Sequence, residues 1–491
     1  MPRWLNSLVN VFRGRGTKPT GRRRSLRVRA GYDAAQTTKE TEKHWADADS
    51  LSANALLDPS TRQLLRDRAR QECANNGYAF GLVESLANDT VGTGPRLQLS
   101  IPGVSRETCR AIETAWSNWS AEADYAEDLR VLHKTKARDG EGFALLIDNP
   151  RLARSGRTPV TLDLALYEAE QVADPFHRGL DPLYVDGIRR DTAGNPIEYT
   201  FLKTHPGGVN AWLSVQTEKF PAESVLHWYT ATRPGQARGV STIVPGLNLF
   251  AQLRRYTLAT LSAAELAAML AGVLKTTAPM DGSTDSVTIE TMDAVELVRG
   301  ALLTLPADCE ATQFRPEQPT GNYKDFKNEL LTEIGRASAM PFGVIGGTNK
   351  DANFSSGRLD QLLYHRAIRV ERSRLRHRVL DRVFLAWVQE AALAGAIPPK
   401  LPPVASWSWE WHFDGFDSID PQKDAQTDEV ELRNNTTTLQ AVYARKGLDW
   451  EEQLRQRARE RALMAELGLP ADAAPAMPAP VAPEPEGAAD A

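Results

Sequence analysis

Between Asp325 and Met340 the chain sets Phe326, Leu330, Ile334 and Ala337 at helical spacing and keeps Lys327, Glu329, Glu333 and Arg336 off that stripe. The pattern predicts an amphipathic helix. Pro341 stops it, because the residue before a proline avoids helical backbone angles. The stretch PFGVIGGTNKDANFSSG follows, with Gly343, Gly346, Gly347 and Gly357 and no strand alternation. A loop of that length in a compact domain is more often functional than filler. From Arg358 to Ala394 the chain has no Gly or Pro. This predicts one helix of about 37 residues, roughly 55 Å long. Gly395 is its stop signal, with Pro398 and Pro399 beyond.

The same reading organises the rest. TRQLLRDRARQECANNG predicts a helix from about Ser60, with Leu64, Leu65 and Ala69 inward, Arg62, Arg66 and Arg70 outward, and a break at Asn75-Asn76-Gly77. A second helix, YAFGLVESLANDTVG, leads to an alternating strand, RLQLSIP. Glu107–Ala126 is amphipathic, with Ile112, Trp116 and Trp119 on one side, and Glu127–Ala137 is also helical. Asp139-Gly140-Glu141-Gly142 reads as a surface turn into the strand FALLID. Residues 158–230 are β-rich, with a hairpin signal at Thr192-Ala193-Gly194. A long helix over Pro245–Ala271 repeats Ala259, Ala263, Ala267 and Ala271 every four residues, a stripe that lets a second helix approach closely. SVTIETM and ELVRGALLTLP are strand candidates within a small unit, 275–323. VASWSWEWHF puts Trp407, Trp409, Trp411 and Phe413 on one strand face. No Lys or Arg is interleaved, which favours burial over base stacking. Three helices follow, from Asp420, Leu439 and Asp449, and from Pro470 the Ala/Pro/Glu-rich chain is expected to be disordered. The whole is an α+β protein.

At 491 residues the chain is long enough for two or three domains, and 42% hydrophobic with 25% charged residues is ordinary for a soluble protein. Cys73, Cys109 and Cys309 form no CxxC, which argues against a disulfide framework or a zinc site. No secretory signal is expected, and Leu258–Leu274, interrupted by Glu265, is too short to span a bilayer. Net charge is −5, yet residues 1–30 carry nine Lys/Arg and no acid. That tail suits nucleic acid, an acidic partner or simple solvation. Val91-Gly92-Thr93-Gly94 runs from helix to strand, the reverse of a dinucleotide site. Asp139 and Glu141, with His133, are candidate acid/base or metal groups without recognised ligand spacing. There is no GxxxxGK[ST], HExxH or GxSxG motif. The residues describe a non-enzymatic structural or binding protein without a cofactor. Its rivals are a non-ring nucleic-acid-binding structural protein using the basic tail and a hydrolase built on Asp139, Glu141 and a histidine.

Several segments, in order over about Thr61–Glu466, resemble the lambda-type family of tailed-phage portal proteins: NDTVGTGPRLQ, ARDGEGFALL, VDGIRRDTAGNPIEYTFLKTHP, VLHWYTATRPGQARGVSTIVP, ASAMPFGVIGGTNKDANFSSGRLDQL and FDSIDPQKDAQ. RPGQARG and NFSSGR are the most specific. The resemblance implies a dodecameric ring at one capsid vertex of a virion, assembled in the host cytoplasm. Double-stranded DNA would pass through its centre during packaging and ejection. It further implies a wing (31–240), a first stem helix (241–274), a clip (275–323), a second stem helix (324–340) and a tunnel loop (341–357). A long wing helix with the Trp-rich strand (358–419) and a helical crown (420–469) would follow, between the flexible tails 1–30 and 470–491. Terminase, a head–tail adaptor and the major capsid or scaffold protein would be partners, and no membrane. Asn349, Lys350 and Asn353 would lie near DNA. Arg358, Arg366, Arg369, Arg372 and Arg376 are intersubunit candidates, and Ala259, Ala263, Ala267 and Ala271 would pack the stem. A net-acidic chain with sparse cations at the loop suits passage, because a strongly basic channel would grip the phosphates.

Overall fold

The computed structural model describes residues 42–46, 48–175, 181, 183–209, 216–269, 273–276, 309–312, 322–349, 354–416 and 420–469. The tails 1–30 and 470–491, the strand candidates within 286–306, Lys350, Asn353 and Ala271 lie outside the described residues. The chain divides into two units, Met1–Ser52 and Ala53–Ala491. In the first, residues 42–46 form a turn where the His44 and Trp45 rings meet edge-on, 6.0 Å apart. The elements that follow belong to the second.

α1 (Pro59–Asn75) starts at Asp58, whose side chain accepts from the Thr61 N–H, with Pro59 in the first turn. Asn76 ends it and begins α2 (Gly77–Val91) by accepting from the Tyr78 N–H. β1 (Arg96–Ser100), α3 (Arg106–Glu122), α4 (Tyr125–Asp139), β2 (Glu141–Asp148) and β3 (Leu162–Tyr167) follow. Next come β4 (Tyr184–Val185), β5 (Ile188–Arg190), β6 (Pro196–Leu202), β7 (Thr217–Pro221) and β8 (Val225–Tyr229). They form two antiparallel sheets, β3-β2-β8 and β4-β5-β6-β7. The expected turn at Thr192-Ala193-Gly194 joins β5 to β6. A tighter one at Asp186-Gly187 joins β4 to β5, with both residues left-handed at φ 38° and 84°. That is the two-residue hairpin that Asp-Gly favours.

β2 serves two cores because its side chains alternate between faces. Phe143 and Leu145 pack with Val172, Ile188, Tyr199 and Phe201 between the sheets, and Ala144 turns to the aromatic core of Trp116, Trp119, Trp387 and Trp411. A third core joins α1, α2 and the helices introduced next.

α5 (Leu247–Met269) and α6 (Asn322–Arg336) are linked through a two-stranded antiparallel ladder, β9 (Val273–Thr276) with β10 (Cys309–Thr312). α7 (Phe354–Leu375) then runs through a π-helical turn at Arg376–Leu380 into α8 (Asp381–Leu393), and Gly395 closes it at φ 72°. The long helix expected from Arg358 is therefore present, but it begins earlier, takes in Gly357 and carries a π turn. The wider turn keeps Leu375, Val379, Leu380, Val383, Phe384 and Trp387 all inside one core. β11 (Ser408–His412) pairs with β1, setting Trp411 opposite Leu97. Trp407 and Trp411 are buried, and the Nε1 groups of Trp409 and Trp411 both donate to Asp381 Oδ1, at 2.8 and 2.9 Å. α9 (Pro421–Arg433), α10 (Leu439–Arg445) and α11 (Trp450–Glu466) end the described chain.

One expectation is reversed in part: Ala69 is buried as expected, but the arginines and Leu64 change places. On α1 it is Arg62 and Arg66 that are buried, at 3% and 6% exposure, while Leu64 stands 49% exposed. Carboxylates from distant parts of the chain surround this arginine stripe and supply the compensation that a buried cation needs.

Candidate functional site

The α5–α6 pair is rooted in the third core. Leu247, Phe250 and Leu253 of α5 meet Leu330, Leu331 and Ile334 of α6. Gly246 makes room, since a Cβ there would lie 3.3 Å from Ile334 Cγ2. Farther out the contact is aromatic: Tyr256 stacks on Tyr323 at 5.6 Å and meets the edge of Phe326 at 4.9 Å. Ala259 is exposed and Ala263 half-buried; Ala267 lies on α5, its side chain outside the described residues.

After α6 the backbone folds back, with Ala339 at φ 55° and the Met340 N–H donating to the Gly335 carbonyl at 2.9 Å. Pro341 then starts a single helical turn, Phe342–Ile345, whose Ile345 is buried. The glycine-rich stretch is thus half anchored rather than loop throughout, because Phe342 and Ile345 reach the core at helical spacing. Asn349, midway along it, is exposed.

The arginines of α7 and the π turn divide sharply. Arg372 sits over the Phe413 and Phe416 rings and donates to the carbonyls of Asp89 (2.8 Å), Thr90 (3.2 Å) and Asp414 (2.9 Å). Burial pulls its guanidinium down to about 10. Arg376 donates to the Trp409 carbonyl at 2.9 Å, and Arg358 pairs with Asp424 at 3.0 Å. Arg366 and Arg369 are exposed and have no ion-pair partner among the described residues. Arg372→Ala is expected to destabilise the fold by about 3 kcal/mol, because three part-buried carbonyls lose their donor and two aromatic rings lose their cover. Urea unfolding checks this, and an unchanged midpoint would contradict the staple role.

The densest charge lies where α1, the α4–β2 turn and the RPGQARG segment meet. Glu141 is fully buried; it accepts from Arg238 Nε (2.9 Å) and the Gly239 N–H (2.9 Å), and bonds His227 Nε2 (3.0 Å). Arg238 also donates to the carbonyls of Ala169, Val172 and Asp186. Arg62 pairs with Asp186 and lies 3.5 Å from Glu141. Asp139 is gripped by Arg70 (2.8 Å) and Arg138 (2.8 Å), and Glu170 by Arg66 (3.0 Å) and Arg70 (2.9 Å). Burial would raise the Glu141 carboxyl, but Arg238 and the His227 hydrogen bond hold it well below the usual carboxylate range. Burial drops His227 to about 4, so the ring is neutral at neutral pH. Backbone contact seals the joint: Gly140 is at φ 97°, where a Cβ would strike the Val240 and Ser241 backbone.

The turn at Asp139–Gly142 is therefore not a surface turn. Glu141 is sealed from solvent and committed to arginines, and its histidine partner is His227, not His133, whose ring lies beside Trp228 at 6.0 Å. Arginines at 62, 66 and 70, four residues apart, were the signal in the sequence. Glu168, Glu170 and His205 bring three potential metal-ligand atoms within 4.8 Å of one another. They do not suit a cation. Arg70 already pairs with both carboxylates and Arg66 with Glu170, and His205 Nδ1 accepts from the Gly207 N–H at 3.0 Å, which leaves the proton on Nε2.

Residues 38–372 match the family model described as phage portal protein, lambda family. A probable portal protein of Halomonas phage phiHAP-1 is 24% identical over 446 residues, covering 83% of this chain and 82% of its own length. Among solved structures, a chain from the neck of an empty GTA particle computed with C6 symmetry shares 14% identity, with coverage of 83% and 94% and a TM-score of 0.46. A chain from the neck of a native GTA particle computed with C12 symmetry shares 14%, with coverage of 83% and 93% and a TM-score of 0.40.

Proposed function

The chain belongs to the lambda family of phage portal proteins, and from that premise we propose that it closes head-to-tail into a dodecameric ring at one capsid vertex and conducts double-stranded DNA during packaging and ejection. The observation that carries this reading is the family match over 38–372, which takes in the whole α5–α6 pair, the glycine-rich stretch and most of α7. α5 and α6 are the stem, and residues 275–323 are the clip, where terminase docks first and the head–tail adaptor later. Ala259, Ala263, Ala267 and Ala271 pack the stem, and Ala259, exposed in the single chain, does so against a neighbouring copy. The α+β body before α5 is the wing, α7 with α8 is its long helix, and α9–α11 form the crown beside the capsid or scaffold protein. Asn349, Lys350 and Asn353 face the DNA.

Ring formation is the direct test. Native mass spectrometry and negative-stain imaging of the purified chain are expected to give a closed ring of about a dozen subunits. A monomer or dimer at every protein concentration would sink the reading, and would favour a nucleic-acid-binding protein that acts without a ring.

A further inference from the structure

α7 has an open cleft on each flank. The first, about 1700 Å³, is walled by α6 and α7 and floored by α4 and residues 230–245. The second, about 1090 Å³, lies between α7 and the segments that follow β11. Phe326, Leu363 and Val370 in the first are 50%, 58% and 48% exposed, and Leu362 in the second is 51% exposed. Apolar side chains left bare on both flanks of one helix mark contact surfaces.

Both flanks carry exposed charges without an ion-pair partner among the described residues. On the α6 wall of the first cleft these are Glu329, Glu333 and, one turn on, Arg336. Arg369 stands exposed in the second cleft in the same condition, whereas its neighbours Arg358, Arg372 and Arg376 are held within the chain. Arg366 in the first cleft and Glu410 in the second repeat the relation with signs reversed. A head-to-tail ring contact joins two different patches of the same chain, so each must complement the other rather than itself.

We infer that the Arg369 flank of one subunit docks into the first cleft of the next copy. Leu362 then meets Leu363, Val370 and Phe326, and Arg369 meets Glu329 and Glu333. The occupant of the first cleft is thus a second copy of this chain. The inference rests on the ring reading and goes beyond it by naming the two faces.

Charge reversal with mixing tests it. Arg369→Glu in one chain, and Glu329→Arg with Glu333→Arg in another, change exposed residues, so each chain is expected to melt like wild type. Each alone is expected to lose ring formation by about tenfold or more, since like charges are then juxtaposed. Equal mixing should restore rings, because every contact in an alternating ring again pairs opposite signs. Either variant assembling normally alone, or a mixture that stays unassembled, overturns the inference while wild-type rings keep the portal reading intact. If wild type forms no ring, both readings fall. A chain with Arg369→Cys and Glu333→Cys gives an independent measure: mild oxidation of its rings should yield a covalent ladder absent from wild type, and no ladder would likewise overturn the pairing.

Discussion

Glu141→Gln is expected to cost about 3–5 kcal/mol, the penalty for leaving buried cations without their counter-charge. The substitution keeps the side chain's shape and removes one negative charge. Arg238 and Arg62 would then share Asp186, and Arg66 would keep only Glu170. Folded proteins hold about 5–15 kcal/mol in all, so the loss is a large fraction of the total. Differential scanning calorimetry should show Tm falling on the order of 10 °C. Exposed Glu218 is the control, and its change to Gln should stay within about 0.5 kcal/mol. A Glu141→Gln chain melting with wild type would mean that the cluster is more hydrated than its geometry implies. The consequence reaches past stability. Arg238 and Gly239 lie just before α5, so the cluster sets where that helix leaves the sheet-bearing body.

Much of this architecture was legible because it is local. Asn76 breaks α1 from α2 through its own side chain, and the run from Arg358 to Ala394 has no helix-breaking residue. The tryptophans at 407, 409 and 411 alternate as a buried strand should. What was not legible depends on partners far away in the sequence. Arg62, Arg66 and Arg70 read as a solvated face because their carboxylates arrive 69 to 124 residues later. Asp186-Gly187 carried a readable hairpin signal, but nothing local says that the Asp186 carboxylate closes on Arg62 and Arg238. The arginines at and after α7 look alike in sequence. Arg372 is a staple because the Asp89, Thr90 and Asp414 carbonyls converge on it, and Arg369 is not because none reach it. The π turn is likewise set by packing, since no residue in RHRVL requires the extra width.

Deleting Asn349–Asn353 is expected to leave rings intact and reduce DNA-filled particles to a small fraction of wild type. Assembly should survive because the deletion falls between two anchored points. Ile345 is already buried before it, and Tyr364 and Ile368 of α7 are buried after it. Asn349 is exposed and touches the Phe342–Ile345 turn at Gly343, over which its side-chain amide lies. Packaging should suffer for an electrostatic reason. A conduit must hold DNA without gripping it, and each neutralised phosphate steepens the salt dependence of binding by about 0.9 in the log–log slope. One lysine per subunit at position 350, set between Asn349 and the acidic Asp351, gives a ring a few weak contacts to hand the duplex along without a strong grip. Lys350→Ala alone should therefore keep rings and filled heads but make retention of packaged DNA less sensitive to salt. The measurements are negative-stain counts of rings and nuclease-protected DNA per particle. Normal filling by the deletion would remove these residues from the channel. Loss of rings would instead show that the segment belongs to the subunit contact.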